Sequence, residues 1–238
     1  MSTKTVLLAG GRGVRLRPLT YTIPKPLLPI GEKPILEEIV ERLKTFGLSD
    51  IVMAVGYRAE LIETYFRDGS QLGVQIQYAR ESEPLGTAGP LGLVRAELCA
   101  DEPESGSVLV MNGDLVTDLD MRALLDFHEQ AGNDLTMVTR EFQLRHPYGV
   151  VELDGDRITG IVEKPAVTDT VNAGIYVFRW STLDLITPGS PYEIPHLVNV
   201  AATSGRRVGA YPFDGFWLAI DRLDQLEDAA RMVGVADA

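Results

Sequence analysis

Short apolar segments alternate with segments of helical period over the first 139 residues, and this alternation constrains the fold more than any other feature. Apolar runs such as residues 6–9 and 51–55 have the length of strands and predict buried strands. After Pro34, apolar side chains recur three and four positions apart, which is typical of a helix. Strands that alternate with helices predict a mostly parallel, doubly wound α/β sheet. The predicted strands are residues 6–9, 51–55, 74–78, 107–111 and 135–139, and the predicted helices are residues 35–46, 58–66, 87–98 (with Thr87 as N-cap) and 119–131.

The second half of the chain changes to extended segments. An Asp-Gly-Asp turn at residues 154–156 lies between the extended residues 150–153 and 157–162, which predicts a β-hairpin. A further strand is predicted over residues 173–178 and a closing helix over residues 223–233. No composition shift, linker or repeat divides the chain. We therefore expect the second half to be a β-rich lobe on the same sheet rather than an independent domain.

Composition argues against several classes of partner and site. The 238 residues include 22 Lys and Arg against 34 Asp and Glu, a net charge of −12, which argues against nucleic acid or an anionic membrane as the main partner. Cys99 is the single cysteine, so the chain can form neither an intrachain disulfide nor a thiolate metal site. The sequence has no signal peptide and no apolar run of ~18 residues, so a cytoplasmic protein is expected.

A glycine-rich loop follows the first predicted strand. Gly10, Gly11 and Gly13 leave the backbone N–H groups uncovered, so these groups can point at an anionic ligand. Four cations lie in the same stretch of this acidic chain: Arg12, Arg15, Arg17 and Lys25. Together these features predict a triphosphate site, and the alternative is a tight turn with exposed basic residues. The loop matches neither the dinucleotide G-x-G-x-x-G nor the Walker A motif, which would end in Gly-Lys-Ser/Thr.

Further motifs follow in a fixed order along nearly the whole chain. They are Leu-Ala-Gly-Gly-Arg-Gly-Val-Arg-Leu-Arg-Pro-Leu-Thr at residues 8–20, Pro-Lys-Pro at 24–26, Glu-Pro-Leu-Gly-Thr-Ala-Gly-Pro-Leu at 83–91, Asn-Gly-Asp at 112–114, Tyr-Gly-Val-Val at 148–151, Glu-Lys-Pro at 163–165, Asn-Ala-Gly at 172–174 and Gly-Phe-Trp at 215–217. With these motifs the chain resembles the sugar-1-phosphate nucleotidyltransferases, or nucleotide-sugar pyrophosphorylases. Within that family it is most similar to the mannose-1-phosphate and heptose-1-phosphate guanylyltransferases.

The resemblance implies a Rossmann-like nucleotide-diphospho-sugar transferase fold with an inserted β-rich sugar-binding lobe. A single domain is expected over residues 1–238, with about residues 1–140 binding the nucleotide and about residues 141–238 binding the sugar phosphate. The C-terminal β-helix that the family often carries is not expected, because no hexapeptide repeat follows. The implied partners are an NTP and a sugar-1-phosphate, with Mg²⁺ as cofactor, and a homo-oligomer is left open. GTP is favoured, with UTP, dTTP or ATP as the alternative.

The implied reaction gives an NDP-sugar and pyrophosphate, and the resemblance assigns roles to residues of four motifs. Arg15 would stabilise the leaving pyrophosphate, Lys25 would lie at the α-phosphate, and Lys164 would hold the incoming sugar phosphate. Asp114 would bind Mg²⁺. The sequence Asn-Gly-Asp also forms plain β-turns, but its place at the carboxyl end of a predicted strand, where ligands bind in such sheets, favours the metal.

One position departs from the family pattern. The family usually has Trp-x-Asp-Ile-Gly near its end, and that Asp is the second metal ligand, whereas Ala219 stands at this position here. Asp221 lies two residues on, on the same face of an extended segment, and could replace it. Otherwise Asp114 alone would hold the metal with water and phosphate oxygens, and Asp221 would be the N-cap of the last helix. The departure also leaves open a regulatory paralogue that binds the nucleotide-sugar without turning it over.

Two groups of binding residues complete the expectations. A carboxylate in the stretch after the third predicted strand, either Glu81 or Glu83, is the candidate acceptor for guanine N–H groups, and a solvated loop acid is the alternative for each. Tyr148-Gly149, Glu163 and Asn172 would recognise the sugar, although Asn-Ala-Gly is also an ordinary turn. The expected nucleotide-binding residues are Leu8, Ala9, Gly10, Gly11, Arg12, Gly13, Glu81, Pro84, Gly86, Thr87, Asn112 and Gly113, and the expected sugar-phosphate-binding residues are Tyr148, Gly149, Glu163, Lys164, Asn172 and Gly174.

Overall fold

The computed structural model describes residues 3–236, and the side chains as far as residue 232. The strands are β1 Lys4–Ala9, β2 Pro29–Ile30, β3 Lys33–Pro34, β4 Asp50–Val55, β5 Gln75–Arg80, β6 Ser107–Asn112, β7 Leu115–Thr117, β8 Leu135–Arg145, β9 Val150–Asp154, β10 Arg157–Val162, β11 Ala166–Arg179, β12 Val208–Pro212 and β13 Trp217–Ala219. The helices are α1 Ile35–Thr45, α2 Ala59–Phe66, α3 Gly89–Leu93 with a π-helical continuation over Val94–Leu98, α4 Met121–Ala131, α5 Trp180–Leu183, α6 Ile194–Thr203 and α7 Leu223–Ala236.

Seven strands form the central sheet, in the order β12-β8-β11-β6-β1-β4-β5. The strands β6, β1, β4 and β5 are parallel to one another, as the alternating pattern predicts. β1 lies in the middle of this parallel part, with Val6 opposite Val52 on one side and Val110 on the other. Because β1 is covered on both faces, its sequence is a continuous apolar run rather than an alternating one. The prediction of a doubly wound α/β sheet is confirmed.

Helices cover both faces of the sheet and form two hydrophobic clusters. On one face α1, α2, α4 and α7 pack against the sheet, with Leu36 of α1 and Phe66 of α2 fully buried. On the other face α3, α5 and α6 pack against it, with Leu91 of α3 and Leu197 of α6 fully buried. This arrangement leaves the ends of the strands, rather than the faces of the sheet, open to ligands.

The sheet is mostly parallel, as predicted, and the exception is β11, which runs antiparallel to both of its neighbours, β6 and β8. β8 and β11 are also much longer than predicted, and their distal parts, residues 141–145 and 166–171, extend beyond the sheet as a two-stranded ribbon. We call this ribbon the arm. The predicted hairpin is confirmed as β9 and β10, which follow the arm. The arm residues are exposed, and their apolar side chains are interrupted by polar ones, so the arm lacks the continuous apolar run that marks a buried strand in sequence.

The helix predicted over residues 87–98 begins later, at Gly89, and Thr87 is not its N-cap. Thr87 Oγ1 instead accepts a hydrogen bond of 2.9 Å from the backbone N–H of Ile194, at the start of α6. Within residues 3–236 no helix combines the length and the apolar character that crossing a bilayer requires.

Candidate active site

Two adjoining clefts lie at the carboxyl ends of β1 and β6, which is where ligands bind in sheets of this kind. The larger has a volume of about 530 Å³ and the smaller about 270 Å³. Both are lined by Leu8, Gly11 and Asp114. The larger cleft is also lined by Gly10, Arg12, Ala54, Gly56, Tyr57, Glu81, Ser82, Glu83, Pro84, Gly86, Thr87, Pro90 and Asn112. The smaller is also lined by Ala9, Gly13, Val14, Arg15, Leu16, Lys25, Pro26, Gly113 and Asp221.

The glycine-rich loop is held in shape by contacts on both sides of Gly13. Gly13 has φ +57°, a left-handed conformation that glycine adopts without strain. Its carbonyl accepts hydrogen bonds from the backbone N–H of Leu16 at 3.0 Å and from Thr20 Oγ1 at 2.8 Å. Leu16 is buried beneath the loop, so the neighbouring Arg15 side chain, 72% exposed, projects outward at the smaller cleft.

The predicted cations of this loop separate into two groups. Arg12, Arg15 and Lys25 line the clefts, as predicted. Arg17 lines neither cleft, and its guanidinium lies 4.9 Å from the centre of the Tyr21 ring. A cation over an aromatic face is a stable arrangement in itself, so the structure gives Arg17 a role in holding the loop.

Glu81 and Glu83 both line the larger cleft, but only Glu81 is held in place. Glu81 Oε2 accepts a hydrogen bond of 2.9 Å from the backbone N–H of Leu85. A Cβ atom added at Gly10 would overlap Glu81 Oε1, so the two residues are in close contact across the cleft wall. Burial raises the pKa of the Glu81 carboxyl group, against the opposite effect of the hydrogen bond from Leu85. Glu83 is exposed.

Four charged side chains form one connected network at the smaller cleft. Lys25 Nζ donates to Asp114 Oδ2 at 2.5 Å and to Asp221 Oδ1 at 2.9 Å. Arg15 Nη1 donates to Asp221 Oδ2 at 2.9 Å. The Lys25 side chain is only 10% exposed, so its charge is compensated by the two carboxylates rather than by water. Arg15, Lys25 and Asp114, to which the resemblance assigns catalytic roles, thus lie together in this network.

The two-stranded pairing of β7 with β13 brings Asp221 to Asp114. Ala219 lies opposite Leu115 in this pair, and the backbone N–H of Ile220 donates to the carbonyl of Asp114 at 3.0 Å. Burial raises the pKa of Asp221, but the hydrogen bond and charge of Lys25 and the charge of Arg15 outweigh it, so the pKa is lowered overall. Asp221 is therefore ionised at neutral pH.

The alternative role of Asp221 as N-cap of the last helix is wrong. Its carboxylate accepts from Lys25 and Arg15. The backbone N–H groups of Asp221 and Arg222 donate instead to Gln225 Oε1, at 2.8 and 2.9 Å. Gln225 thus satisfies the start of α7, and the Asp221 carboxylate remains directed at the cleft.

The two carboxylates have the chemistry of a divalent cation site. Asp114 Oδ1 is buried and has no hydrogen-bond partner in the part of the chain that the structure describes, and such an atom is costly unless a ligand satisfies it. The Lys25 ammonium already bridges Asp114 and Asp221, so a positive charge is accommodated between them. Residues 3–232 contain no cluster of three or more His, Cys, Asp or Glu side chains suited to a metal. A cation held here would complete its coordination with water and ligand oxygens, as Mg²⁺ commonly does.

The predicted sugar-phosphate residues lie outside the two clefts. Tyr148, 79% exposed, and Gly149 precede β9, and Glu163 and Lys164 follow β10, so the four residues flank the hairpin. A Cβ atom at Gly149 would lie 2.9 Å from Glu163 Oε2, which shows that the two ends of the hairpin are in contact. Lys164 has φ +46°, a backbone conformation that residues other than glycine rarely adopt.

Asn172 and Gly174, the other two predicted sugar-phosphate residues, form a turn at the irregularity of β11. Asn172 Oδ1 accepts from the backbone N–H of Gly174 at 2.9 Å, and its Nδ2 donates to the Tyr176 hydroxyl at 2.6 Å. A Cβ atom at Gly174 would lie 2.7 Å from Asn112 Nδ2. This turn therefore touches the larger cleft through Asn112, which lines it.

Sequence reasoning missed two residues that shape the larger cleft. Glu193 Oε2 accepts hydrogen bonds from Thr87 Oγ1 at 2.6 Å and from the Thr87 backbone N–H at 3.1 Å. The Tyr57 hydroxyl donates to the carbonyl of Thr20 at 3.0 Å, and its backbone N–H donates to the carbonyl of Gly10 at 3.1 Å. Neither lies in a motif, and Glu193 is 106 residues from Thr87, so no local pattern indicates either role.

Comparison with known proteins agrees with this geometry. The sequence profile of the family described as "Nucleotidyl transferase" matches residues 4–234. The mannose-1-phosphate guanylyltransferase catalytic subunit beta of Danio rerio is 40% identical over 222 residues, which is 91% of this chain and 61% of that protein. The probable mannose-1-phosphate guanylyltransferase 1 of Oryza sativa subsp. japonica is 37% identical over 224 residues, again 91% of this chain and 61% of that protein. The chain thus spans about three fifths of the length of these curated relatives.

Two solved structures share the fold. A putative glucose-1-phosphate thymidylyltransferase from Bacillus anthracis superposes with a TM-score of 0.77 at 24% identity, over 97% of this chain and 95% of that chain. HddC from Yersinia pseudotuberculosis, complexed with GMP-PN, superposes with a TM-score of 0.74 at 24% identity, over 97% of this chain and 99% of that chain. At this identity the similarity demonstrates the shared architecture.

Proposed function

Since the chain belongs to the nucleotidyl transferase family, we propose that it is an enzyme that transfers a nucleotidyl group from an NTP to a sugar-1-phosphate and releases pyrophosphate. GTP is the proposed donor, and a mannose- or heptose-1-phosphate the proposed acceptor. The observation that carries this proposal is the network of Arg15, Lys25, Asp114 and Asp221 beside the glycine-rich loop. It joins cations that can neutralise phosphates to carboxylates that can hold a metal.

The proposed reaction needs positioning and charge neutralisation more than it needs a base. A phosphate oxygen of the sugar-1-phosphate, already ionised at neutral pH, forms a bond to the α-phosphorus of the NTP, and the bond from that phosphorus to the pyrophosphate oxygen breaks. No proton has to be removed from the nucleophile. Repulsion between the two anions is the main obstacle, and preorganised cations lower it.

Arg15 and Lys25 are proposed to neutralise different phosphates of the NTP. Arg15, exposed at the edge of the smaller cleft, is proposed to contact the β- and γ-phosphates and to stabilise the charge on the leaving pyrophosphate. Lys25, buried between two carboxylates, is proposed to donate to an oxygen of the α-phosphate. The backbone N–H groups of the glycine-rich loop supply further donors at the same place.

Asp114 and Asp221 are the proposed Mg²⁺ ligands. When bound, the ion supplies charge neutralisation for the phosphate oxygens and for the leaving group. Within residues 3–232 the buried Asp114 Oδ1 has no hydrogen-bond partner, and Asp221 is kept ionised by its cationic neighbours. In the structure Lys25 donates to both carboxylates. If Asp114 and Asp221 held Mg²⁺, the Lys25 ammonium group would be free to donate to a phosphate oxygen instead.

The larger cleft is the proposed site of the base and ribose, and Glu81 is the proposed acceptor for guanine N–H groups. Glu81 is fixed by Leu85, whereas Glu83 is exposed, so Glu81 is the better preorganised of the two. The names of the relatives support GTP, and UTP, dTTP and ATP are the competing donors. Tyr148, Gly149, Glu163, Lys164, Asn172 and Gly174 are the proposed contacts of the sugar phosphate, and the strained backbone of Lys164 is typical of functional positions.

A grid of four NTPs against a panel of sugar-1-phosphates, read by pyrophosphate release with Mg²⁺ present, tests this proposal. We expect GTP with mannose-1-phosphate or a heptose-1-phosphate to be turned over fastest. A tenfold preference for UTP, dTTP or ATP would refute the assignment of the base. The matched variants are Asp114→Asn, expected to be inactive, and Glu32→Gln on the exposed turn between β2 and β3, expected to be unchanged.

Ala219, at the position of the family's second metal ligand, favours one other function, a subunit that binds the nucleotide-sugar without turnover. The same assay with Ala219→Asp beside the parent chain separates the two. Release by the parent supports the enzyme. Release by neither chain, with the nucleotide-sugar still binding to both, would support the binding subunit.

A further inference from the structure

Exposed apolar side chains are concentrated on the arm and on the hairpin that follows it. Of the seventeen large hydrophobic side chains exposed within residues 3–232, ten lie between residues 142 and 167. On the arm, Phe142 is 50% exposed, Leu144 is 54% exposed and Val167 is 45% exposed. Because Leu144 pairs with Val167 and Phe142 pairs with Asp169, these side chains share one face of the ribbon. A single exposed apolar residue needs no explanation, but a contiguous set indicates a contact surface.

The arm also has backbone groups that no other strand within residues 3–236 pairs with. β12 pairs with β8 only as far as Thr139, and β6 pairs with β11 only from Ile175 onward. Beyond these points β8 and β11 pair only with each other. An isolated two-stranded ribbon is marginally stable in water, and a free strand edge is a template for pairing with another strand. The arm therefore lacks the third strand that would stabilise it.

The direction of the unpaired backbone groups can be read from two hydrogen bonds. The backbone N–H of His146 donates to the carbonyl of Pro165, so the even-numbered residues of β8 turn their N–H and C=O groups toward β11. The carbonyl of Thr139 accepts from the backbone N–H of Phe213 on the other side, so the odd-numbered residues turn theirs away. Glu141, Gln143 and Arg145 thus present free N–H and C=O groups along the outer edge of β8.

The sequence of this edge is complementary to itself. We propose that residues 141–145 of β8 pair antiparallel with the same residues of a second copy of this chain, about a two-fold axis at Gln143. In this register Glu141 lies opposite the partner's Arg145, and Arg145 lies opposite the partner's Glu141. On the other face Phe142 lies opposite the partner's Leu144. Each pair matches opposite charges or two apolar side chains, which is what stabilises antiparallel strands.

The charges of this edge are free to make these contacts. Within residues 3–232 neither Glu141 nor Arg145 forms an ion pair or a side-chain hydrogen bond, and both are exposed. The other edge of the arm offers no such match. Its outward residues, Ala166, Thr168 and Thr170, carry no charge, and an antiparallel pairing centred on Thr168 would set Val167 opposite the partner's Asp169. The observations therefore select the edge of β8 and a second copy of this chain as its occupant.

Substitutions that reverse the charges at positions 141 and 145 test the proposed interface. The molecular mass is measured by sedimentation velocity over a range of protein concentrations. The wild-type chain is expected to be a dimer. Glu141→Arg sets arginine opposite the partner's Arg145, and Arg145→Glu sets glutamate opposite the partner's Glu141. Because like charges then face each other, the dimer of either variant alone should have a dissociation constant ~tenfold or more above that of the wild-type dimer. A mixture of the two variants restores both opposite-charge pairs, and it should form a heterodimer as tightly as the wild type.

Two further variants separate pairing from folding. Gln143→Pro removes an N–H that points away from β11, so the monomer should fold normally and fail to dimerise. Glu32→Arg makes the same charge change as Glu141→Arg at an exposed turn outside the arm and should leave the dimer unchanged. A wild-type chain that stays monomeric, as it would if the arm docked on another protein or on a membrane, would overturn the proposal. So would a dimer that persists in Gln143→Pro, or a mixture of the two charge variants that remains monomeric.

Discussion

Asp221 lies beside Asp114 although 106 residues separate them in the chain, because the pairing of β7 with β13 sets Ile220 against Asp114. One ammonium group, that of Lys25, bonds to both carboxylates. The position two residues earlier, Ala219, lies opposite Leu115 and packs against the hydrophobic core. The carboxylate that reaches the cleft is therefore that of Asp221, two residues beyond the end of β13.

We expect Asp221→Asn to lower kcat by roughly tenfold to a thousandfold and to raise the Mg²⁺ concentration required for half-maximal rate, because one of the two proposed charged ligands is lost. The double variant Ala219→Asp/Asp221→Asn should stay inactive, since a carboxylate at position 219 would face apolar side chains. Steady-state rates across a Mg²⁺ titration provide the measurement. An unchanged rate in Asp221→Asn would show that our assignment of Asp221 is wrong. Recovery of the rate in the double variant would show that position 219 can also supply a ligand.

Glu193→Ala should weaken NTP binding through Thr87. Glu193 accepts two hydrogen bonds from Thr87, which lines the larger cleft, and hydrogen bonds to a charged group contribute about 1.5–3 kcal/mol. We expect KM for the NTP to rise roughly tenfold or more while kcat changes little, because the proposed reacting groups lie in the smaller cleft. Glu193→Gln, which keeps an acceptor oxygen, should be intermediate. Glu97→Ala, an exposed acid after α3, is the control. A fall in kcat at constant KM would contradict this role.

The parallel core of the fold could be predicted from the sequence because its signals are local. β1, β4 and β6 are continuous apolar runs that end where the glycine-rich loop and the Asn-Gly-Asp turn begin, so the carboxyl-end cleft follows from their order. The glycine-rich loop, Lys25 and Asp114 were found in the same way.

The parts that sequence did not predict depend on partners distant in the chain. β7 and β13 have three residues each, too few to show a period, and only their pairing brings Asp221 to the cleft. Threonine is a common N-cap residue, but the hydroxyl oxygen of Thr87 accepts a hydrogen bond from the backbone N–H of Ile194 instead. The antiparallel direction of β11 relative to β6 and β8 likewise depends on its neighbouring strands, and its own sequence does not indicate it.

Gly10→Ala should destabilise the chain and Gly11→Ala should not. A Cβ atom at Gly10 would overlap Glu81 Oε1, whereas a Cβ atom at Gly11 would have no neighbour within 4 Å. We expect Gly10→Ala to lower the free energy of unfolding by about 1–3 kcal/mol and Gly11→Ala by less than about 0.5 kcal/mol. Denaturant unfolding provides the measurement. In the double variant Gly10→Ala/Glu81→Ala the cost of the added methyl group should largely disappear, because the next neighbour, the Gly56 backbone N, lies 3.4 Å away. An unchanged cost would show that Glu81 is not the obstacle.

His128 should make the fold sensitive to mild acid. The side chain is fully buried, its Nδ1 lies 2.9 Å from Thr136 Oγ1, and its Nε2 has no hydrogen-bond partner. Burial, helped by the positive charge of Arg179, lowers the pKa of His128 from 6.5 to about 4. The unfolded chain therefore binds a proton here between pH 6.5 and 4 while the folded chain does not, so stability falls as the pH falls through this window.

The loss due to this group should reach roughly 3 kcal/mol near pH 4, at 1.36 kcal/mol for each pH unit that separates the two pKa values. Other groups also titrate in acid, so the useful quantity is the difference between wild type and His128→Leu in their free energies of unfolding, measured from pH 7 to 4. The substitution costs a constant amount at every pH because Thr136 Oγ1 loses one of its two partners and keeps only Asn133. The variant lacks the proton-linked loss, so the two curves should converge as the pH falls. Parallel curves would show that His128 is protonated in the folded chain, and hence that its buried Nε2 finds a partner at acid pH.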